Sequence, residues 1–321
     1  AAIESRRRAR HAAGEKRKME VEGSSPTIYD LAFDFHSQRF AVSSADGHIR
    51  VYAKGKRKYE QMDEFKVDVR ARKLAWAPPH FGQVFAAASL DDKIVRIFEE
   101  TVSEKPRFRC VAQINNGSKP TDLAFKPGAK PSLKLTLAVP SKDGKVRVYE
   151  ASDAMSLKEW KRTSELDAGK TPCTGLAWNP NYFEIPSLLV ACGTELAIWD
   201  FYKEQHRWVR SEKLPVHNSN INKVAWAPSM GRSFHLVATA SNSTQIFKLK
   251  PKADQQAGKR FEVERELQPG QEDAKTQVWD VQWNLTGSVL ASSDAEGQVV
   301  LWKRDFVQKW QKIVKARSKE I

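Results

Sequence analysis

The sequence predicts an all-β fold made of six repeated units, each with four short strands. An aromatic residue ends an alternating apolar stretch about every 50 residues, which is the period of a repeat architecture. No segment shows a sustained helical period, which argues against doubly wound and barrel α/β folds. The 321 residues, 40% of them apolar, can bury a substantial core and are too apolar for a wholly disordered chain.

The first strand of each unit, strand A, is predicted where apolar and polar residues alternate up to the recurring aromatic. Such alternation is typical of a strand with one buried face. An Asn-Pro or Ala-Pro step often follows the aromatic. The six predicted segments are Ile28–Phe35, Ala71–Pro78, Thr121–Pro127, Thr174–Pro180, Ile221–Pro228 and Val278–Leu285.

Strands B and C of each unit are predicted on either side of a polar turn. Small apolar residues, as in the run from Phe85 to Ala88, mark strand B. In units one, three and six an acidic residue and a glycine form the turn, because Asp bonds local amides and Gly tolerates positive φ. Units four and five lack this pair. Strand C ends on a second recurring aromatic, namely Tyr52, Phe98, Tyr149, Trp199, Phe247 and Trp302.

Strand D of each unit is predicted from a third recurring aromatic, found at Tyr59, Phe108, Trp160, Trp208, Phe261 and Trp310. In five units an apolar residue follows six positions later and therefore lies on the same strand face, whereas the sixth unit has Ala316 there. Four strands per unit at this spacing are typical of a six-bladed WD-repeat β-propeller. We expect the propeller to span residues 28–316, between a basic tail (1–27) and a short C-terminal tail (317–321).

Closure of the predicted ring is the open question. Every unit contains its own strand D, so no strand is left over to join the two chain ends in one blade, unless Met19–Val21 supplies one. The ring can then close by packing alone or remain open. If it is open, the first and last blades present unpaired apolar faces, and such faces favour a partner.

The sequence contains none of the common catalytic or metal-binding motifs. It contains no phosphate-binding glycine loop, nucleophile elbow or metalloprotease helix motif, and no pair of histidines or cysteines at metal spacing. His217 is expected to be a buried structural histidine, and Asp91 and Asp92 to be turn residues. We therefore predict no catalytic residues, no cofactor and no metal. The three cysteines, without a CxxC pair, indicate free thiols in a reducing compartment.

Charge suggests a competing function. The chain has 53 basic and 39 acidic residues, a net charge of +14, which would suit a propeller that binds nucleic acid or chromatin. The excess is concentrated at the ends, since residues 1–18 and 303–321 each hold seven basic and two acidic residues. No apolar segment is long enough to span a membrane, and none follows the basic start as in a secretory signal.

Several segments resemble the Seh-type nucleoporins, the WD propellers of the Y-shaped nuclear pore scaffold and sisters of the Sec-thirteen-type coat propellers. The strongest match is Trp226–His235, followed by Ile246–Pro251. The last repeat, from Val278 to Gly287, and the first strand exit, from Phe33 to His36, are also similar. The resemblance runs from about residue 28 to about residue 312.

The resemblance implies a non-enzymatic scaffold at the nuclear envelope that supports transport of protein and mRNA. It further implies an open ring completed by a blade from an α-helical scaffold nucleoporin, contacts with other Y-complex subunits, and a shared role in a nutrient-signalling complex at the vacuole or lysosome. No membrane insertion is expected. We expect the slot to be lined by Tyr29, Leu31, Phe33, Val281, Trp283 and Leu301, with ordinary packing between blades as the alternative for each.

Overall fold

The computed structural model describes residues 27–103, 106–128, 134–153, 156–215, 217–252, 260–267 and 276–317, and confirms the all-β prediction. The possible strand at Met19–Val21, most of the basic tail and the last four residues lie outside the described residues. The helical content of the described part is one 3₁₀ turn, Pro79–Phe81. No described helix has the length and apolar character that crossing a bilayer demands.

Six antiparallel sheets of four strands form the blades, each in the order A-B-C-D. Blades one to three comprise β1 (Ile28–Phe33), β2 (Arg39–Ser44), β3 (His48–Lys54), β4 (Tyr59–Lys66); β5 (Ala71–Trp76), β6 (Val84–Ser89), β7 (Ile94–Glu100), β8 (Phe108–Asn115); β9 (Ala124–Phe125), β10 (Thr136–Pro140), β11 (Lys145–Ala151), β12 (Trp160–Asp167). Blades four to six comprise β13 (Cys173–Trp178), β14 (Ser187–Cys192), β15 (Glu195–Tyr202), β16 (Arg207–Lys213); β17 (Lys223–Trp226), β18 (His235–Ala240), β19 (Thr244–Pro251), β20 (Phe261–Leu267); β21 (Val278–Trp283), β22 (Val289–Asp294), β23 (Gln298–Arg304), β24 (Trp310–Arg317).

The recurring aromatics mark the strand borders that they predicted. Each strand A ends on its aromatic, and each strand D begins at its aromatic or one residue before it. The C strands run at least two residues beyond theirs. Each blade is built from one continuous stretch of chain, as the repeat predicted.

In blades one to three, the turn between strands B and C contains an ion pair between an aspartate and an arginine, which the sequence analysis did not predict. In blade one, Asp46 accepts a hydrogen bond from the His48 amide at 2.9 Å and binds the Arg50 guanidinium at 2.8 Å. Arginine lies four positions after the aspartate in two more blades, so one carboxylate orders both the turn and the strand that follows. The matching pairs are Asp92–Arg96 at 3.0 Å and Asp143–Arg147 at 2.6 Å.

The cysteines differ from the prediction. Cys173 and Cys192 are joined by a disulfide across β13 and β14, where they are directly opposite in the strand register. The expectation of three free thiols is therefore wrong for this pair, because their separation of 19 residues does not reveal that two strands bring them face to face. Cys110 is free and exposed.

A gap between blades six and one as the candidate docking site

Apolar clusters join each blade to the next, and they reveal one interruption in the ring. Five clusters of buried residues connect blades one and two, two and three, three and four, four and five, and five and six. Among the described residues, no cluster, hydrogen bond or ion pair connects blade six to blade one. A separate cluster of Phe40, Val42 and Tyr52 belongs to blade one alone. We call the space between these two blades the gap.

The wall of the gap on blade one is formed by strand β1. Leu31 is 36% exposed, whereas the residues at its position in the other five blades are at most 6% exposed because each packs against the preceding blade. Phe33 is 40% exposed and lies 5.2 Å from the Phe40 ring, measured between centroids. The five buried counterparts of Leu31 are Leu74, Leu123, Leu176, Val224 and Val281.

The wall of the gap on blade six is formed by strands β21 and β23. Leu301 is partly exposed, although its counterparts in the other C strands are at most 2% exposed. Val299 is 41% exposed on the same face. Gln282 replaces the alanine that occupies its position in the other five blades. The buried counterparts of Leu301 are Val51, Ile97, Val148, Ile198 and Ile246.

The six residues expected to line the slot are distributed between the gap and its neighbours. Leu31, Phe33 and Leu301 face the gap. Val281 is buried between blades five and six, and Trp283 there donates its indole N–H to the Ala225 carbonyl at 3.3 Å.

Tyr29 turns away from the gap toward blade two, where the Arg70 guanidinium donates to its hydroxyl at 3.5 Å. Sequence reasoning missed Val299 and Gln282 as wall residues. The available signal was the glutamine itself, which is the one polar residue at a position that is otherwise alanine.

Charged residues occupy one position of strand A, around the axis of the ring. Lys73 binds Asp30 at 3.1 Å, and Lys223 binds Asp122 at 2.7 Å. Burial raises the pKa of Asp30, with the Lys73 charge opposing it. Burial also acts to lower the pKa of Lys223, but the Asp122 carboxylate outweighs it, so the pKa of this lysine is raised. Asp280 holds the same position in blade six.

Gly175 holds the axial position in blade four, and its lack of a side chain affects how closely blade five packs there. A Cβ atom there would lie 3.1 Å from the Val224 amide nitrogen and 3.3 Å from the Cα of Lys223. The absent side chain lets β17 approach β13 closely. Lys223 can therefore reach past blade four to Asp122 of blade three.

Two acidic residues away from the gap, Glu184 and Asp91, have structural partners. Glu184 lies 3.3 Å from the His235 ring and 2.8 Å from the Arg260 guanidinium, and ties blade four to blade five. Burial would raise the pKa of Glu184, but these partners lower it to about 2. Asp91 binds Arg70 at 2.6 Å. Within the described ranges, no three His, Cys, Asp or Glu side chains are grouped as a metal site requires.

Comparisons with known proteins relate the chain to one group of propellers. The model of the WD domain, G-beta repeat, matches residues 15–53 and 266–303. Nucleoporin SEH1-A of Xenopus laevis is 31% identical over 306 residues, covering 88% of this chain and 83% of that protein. Nucleoporin SEH1 of Homo sapiens is 32% identical over 304 residues, again covering 88% and 83%. The similarity thus extends over most of the chain rather than over a single repeat.

Proposed function

The chain belongs to the SEH1 nucleoporin family, and from this premise we propose that it is a non-enzymatic scaffold protein of the nuclear pore outer ring. In this role it binds an α-helical scaffold nucleoporin within the Y-shaped complex at the nuclear envelope. The assembly supports transport of protein and mRNA. The observation that supports partner binding most directly is the gap, since it leaves Leu31 and Leu301 exposed at positions that are buried in every other blade.

The partner that fits the gap best is a blade donated in trans. A sheet has two faces, and the gap offers an apolar wall to each: Leu31 and Phe33 on blade one, Val299 and Leu301 on blade six. Main-chain hydrogen bonds between the donated strands would hold the blade together, and the apolar walls of the gap would fix its position. A multi-strand blade buried on both faces would exceed the area of about 1,600 Å² that a standard interface buries.

A second assembly can use the same gap. We propose that the protein also serves in a nutrient-signalling complex at the vacuole or lysosome, through a partner that presents an equivalent blade. This part of the proposal rests on family membership.

Affinity purification tests the proposal. We expect the tagged protein, purified from its own cells, to retain an α-helical scaffold nucleoporin at equal stoichiometry. Leu31→Glu and Leu301→Glu should each abolish retention of the partner, because each variant places a charge within an apolar wall that the bound partner would bury. Val102→Glu is the matched control, since Val102 is fully exposed in blade two, and it should retain the partner.

Two outcomes would overturn the proposal. One is a purification in which no scaffold nucleoporin is present. The other is wild-type retention by both wall variants, because the partner would then bind elsewhere. Binding of duplex or single-stranded nucleic acid below micromolar Kd at physiological salt, with a steep salt dependence, would favour the nucleic-acid function instead.

A further inference from the structure

We infer that the innermost strand of the donated blade contains a lysine or arginine followed directly by an aliphatic residue, and that this cation pairs with Asp280 at the axis of the ring. The inference rests on the proposed function, because it assumes that a strand enters the gap. It specifies the chemistry of that strand, which the apolar walls do not.

The charges around the axis of the ring do not balance. The equivalent A-strand positions hold Asp30, Lys73, Asp122, Gly175, Lys223 and Asp280. Two of the three carboxylates are paired with the two lysines. Among the described residues, Asp280 makes no ion pair, so the axis has one acid in excess.

Each paired aspartate also accepts a backbone hydrogen bond from strand A of the next blade. Asp30 accepts the backbone N–H of Leu74 at 2.8 Å, and Asp122 accepts that of Leu176 at 3.4 Å. In both cases the donor is the aliphatic residue directly after the axial position of the following blade. The axial aspartate thus ties its blade to the next one, and in blade two the lysine and the donor are adjacent as Lys73-Leu74.

The surroundings of Asp280 differ from those of the two paired aspartates. It has no following blade, and its carboxylate bonds within its own strand instead, to the Val281 amide at 2.9 Å and to the Gln282 side chain at 3.2 Å. Asp280 holds the strand position of the two paired aspartates, and its charge contributes to the raised pKa of Lys223.

Filling the gap would remove water from around Asp280. Burying an unpaired carboxylate is strongly unfavourable unless a cation or several hydrogen-bond donors compensate it. A strand with the Lys73-Leu74 pattern would supply both compensations, with its cation binding the carboxylate and its aliphatic residue donating the backbone N–H.

The test uses the full chain and the blade segment of the scaffold nucleoporin recovered with it, produced as a recombinant polypeptide. We expect Asp280→Asn, which keeps the acceptor but removes the charge, to raise the Kd by about tenfold or more. Asp280→Lys should raise it by at least about 100-fold, because two cations then face each other. Glu204→Lys introduces the same charge change at an exposed turn of blade four and should leave the Kd unchanged.

A charge exchange gives the most specific result. Replacing the basic residue of the partner strand with glutamate should weaken binding to the wild-type ring and restore binding to Asp280→Lys by at least about tenfold. A structural effect of the Asp280 variants alone would not be rescued in this way. Thermal unfolding of each free variant separates a folding defect from a binding defect.

The outcomes distinguish this inference from the function on which it rests. Loss of binding in Leu31→Glu together with wild-type affinity in both Asp280 variants would overturn the inference and leave blade donation intact. A bound segment without a basic–aliphatic pair in its inner strand would do the same. Failure of the wild-type ring to bind any scaffold segment would overturn both.

Discussion

The five closed interfaces between blades and the gap between blades six and one are built from the same residue types. In the closed interfaces an aliphatic residue of strand A is buried against the preceding blade, as Leu176 is at 3% exposure. In the gap the same position holds Leu31, which is 36% exposed. An unpartnered surface would be expected to be polar, yet Leu31, Phe33, Val299 and Leu301 on the walls of the gap are apolar and Gln282 is the polar exception among the wall residues described above. The two walls therefore have most of the apolar character of the closed interfaces.

The largest expected effect is on the free energy of unfolding, when a leucine of a closed interface and a leucine of the gap are each truncated to alanine. We expect Leu176→Ala to lower the free energy of unfolding by about 2–5 kcal/mol, because it leaves a cavity between blades three and four. Leu31→Ala should cost about 1 kcal/mol or less in the free protein, since its side chain is already partly solvated. Urea unfolding at constant slope measures both values. Equal losses would mean that Leu31 is covered in the isolated chain.

Protonation of His217, at a closed interface, should lower the stability of the folded protein as the pH falls. Burial, with a contribution from the Arg265 charge, lowers the pKa of His217 to about 4 from 6.5. The unfolded chain therefore binds a proton below pH 6.5 that the folded chain binds only near pH 4. Stability is fully present above pH 6.5 and is lost as the pH falls toward 4, by up to about 3 kcal/mol. His217→Gln should flatten this part of the stability profile, measured by urea unfolding from pH 7 to 5; an unchanged slope would contradict the assignment.

The tryptophan hydrogen bonds between blades should contribute the smallest measurable effect. Trp178 donates its indole N–H to the Ala124 carbonyl of the preceding blade at 2.9 Å. Trp178→Phe should cost about 1 kcal/mol, because the carbonyl loses its buried donor. Trp279→Phe is the control in blade six, where the side chain is 54% exposed, and it should change the melting temperature little. A larger shift for Trp279 than for Trp178 would refute this ranking.

The sequence predicts the strands well because each blade is a local structure. Trp178 marks the end of strand A and Trp208 the beginning of strand D in one blade, within a short stretch, and their period requires no knowledge of the rest of the ring. Local sequence does not predict, however, which neighbouring blade a strand face contacts. Val281 and Leu301 are both apolar residues of blade six, yet the first packs against blade five and the second faces the gap.

The axial charges are a stronger example of what the sequence does not reveal. Lys223 and Asp122 are far apart in the chain, with a whole blade between them, and they meet because Gly175 leaves the space free. No local period predicts that pairing. The disulfide between Cys173 and Cys192 likewise follows from strand register rather than from cysteine spacing.

In the part of the chain that the structure describes, every blade is one uninterrupted stretch, and no strand from one end joins the blade at the other end. The described contacts link the first and last blades only through the four blades between them. Widening the gap would therefore break none of the described strand pairings. A gap of this kind accommodates one blade at a time, so the two assemblies proposed above would compete for the same ring. The amount of this protein in the cell would then limit how much of either assembly forms.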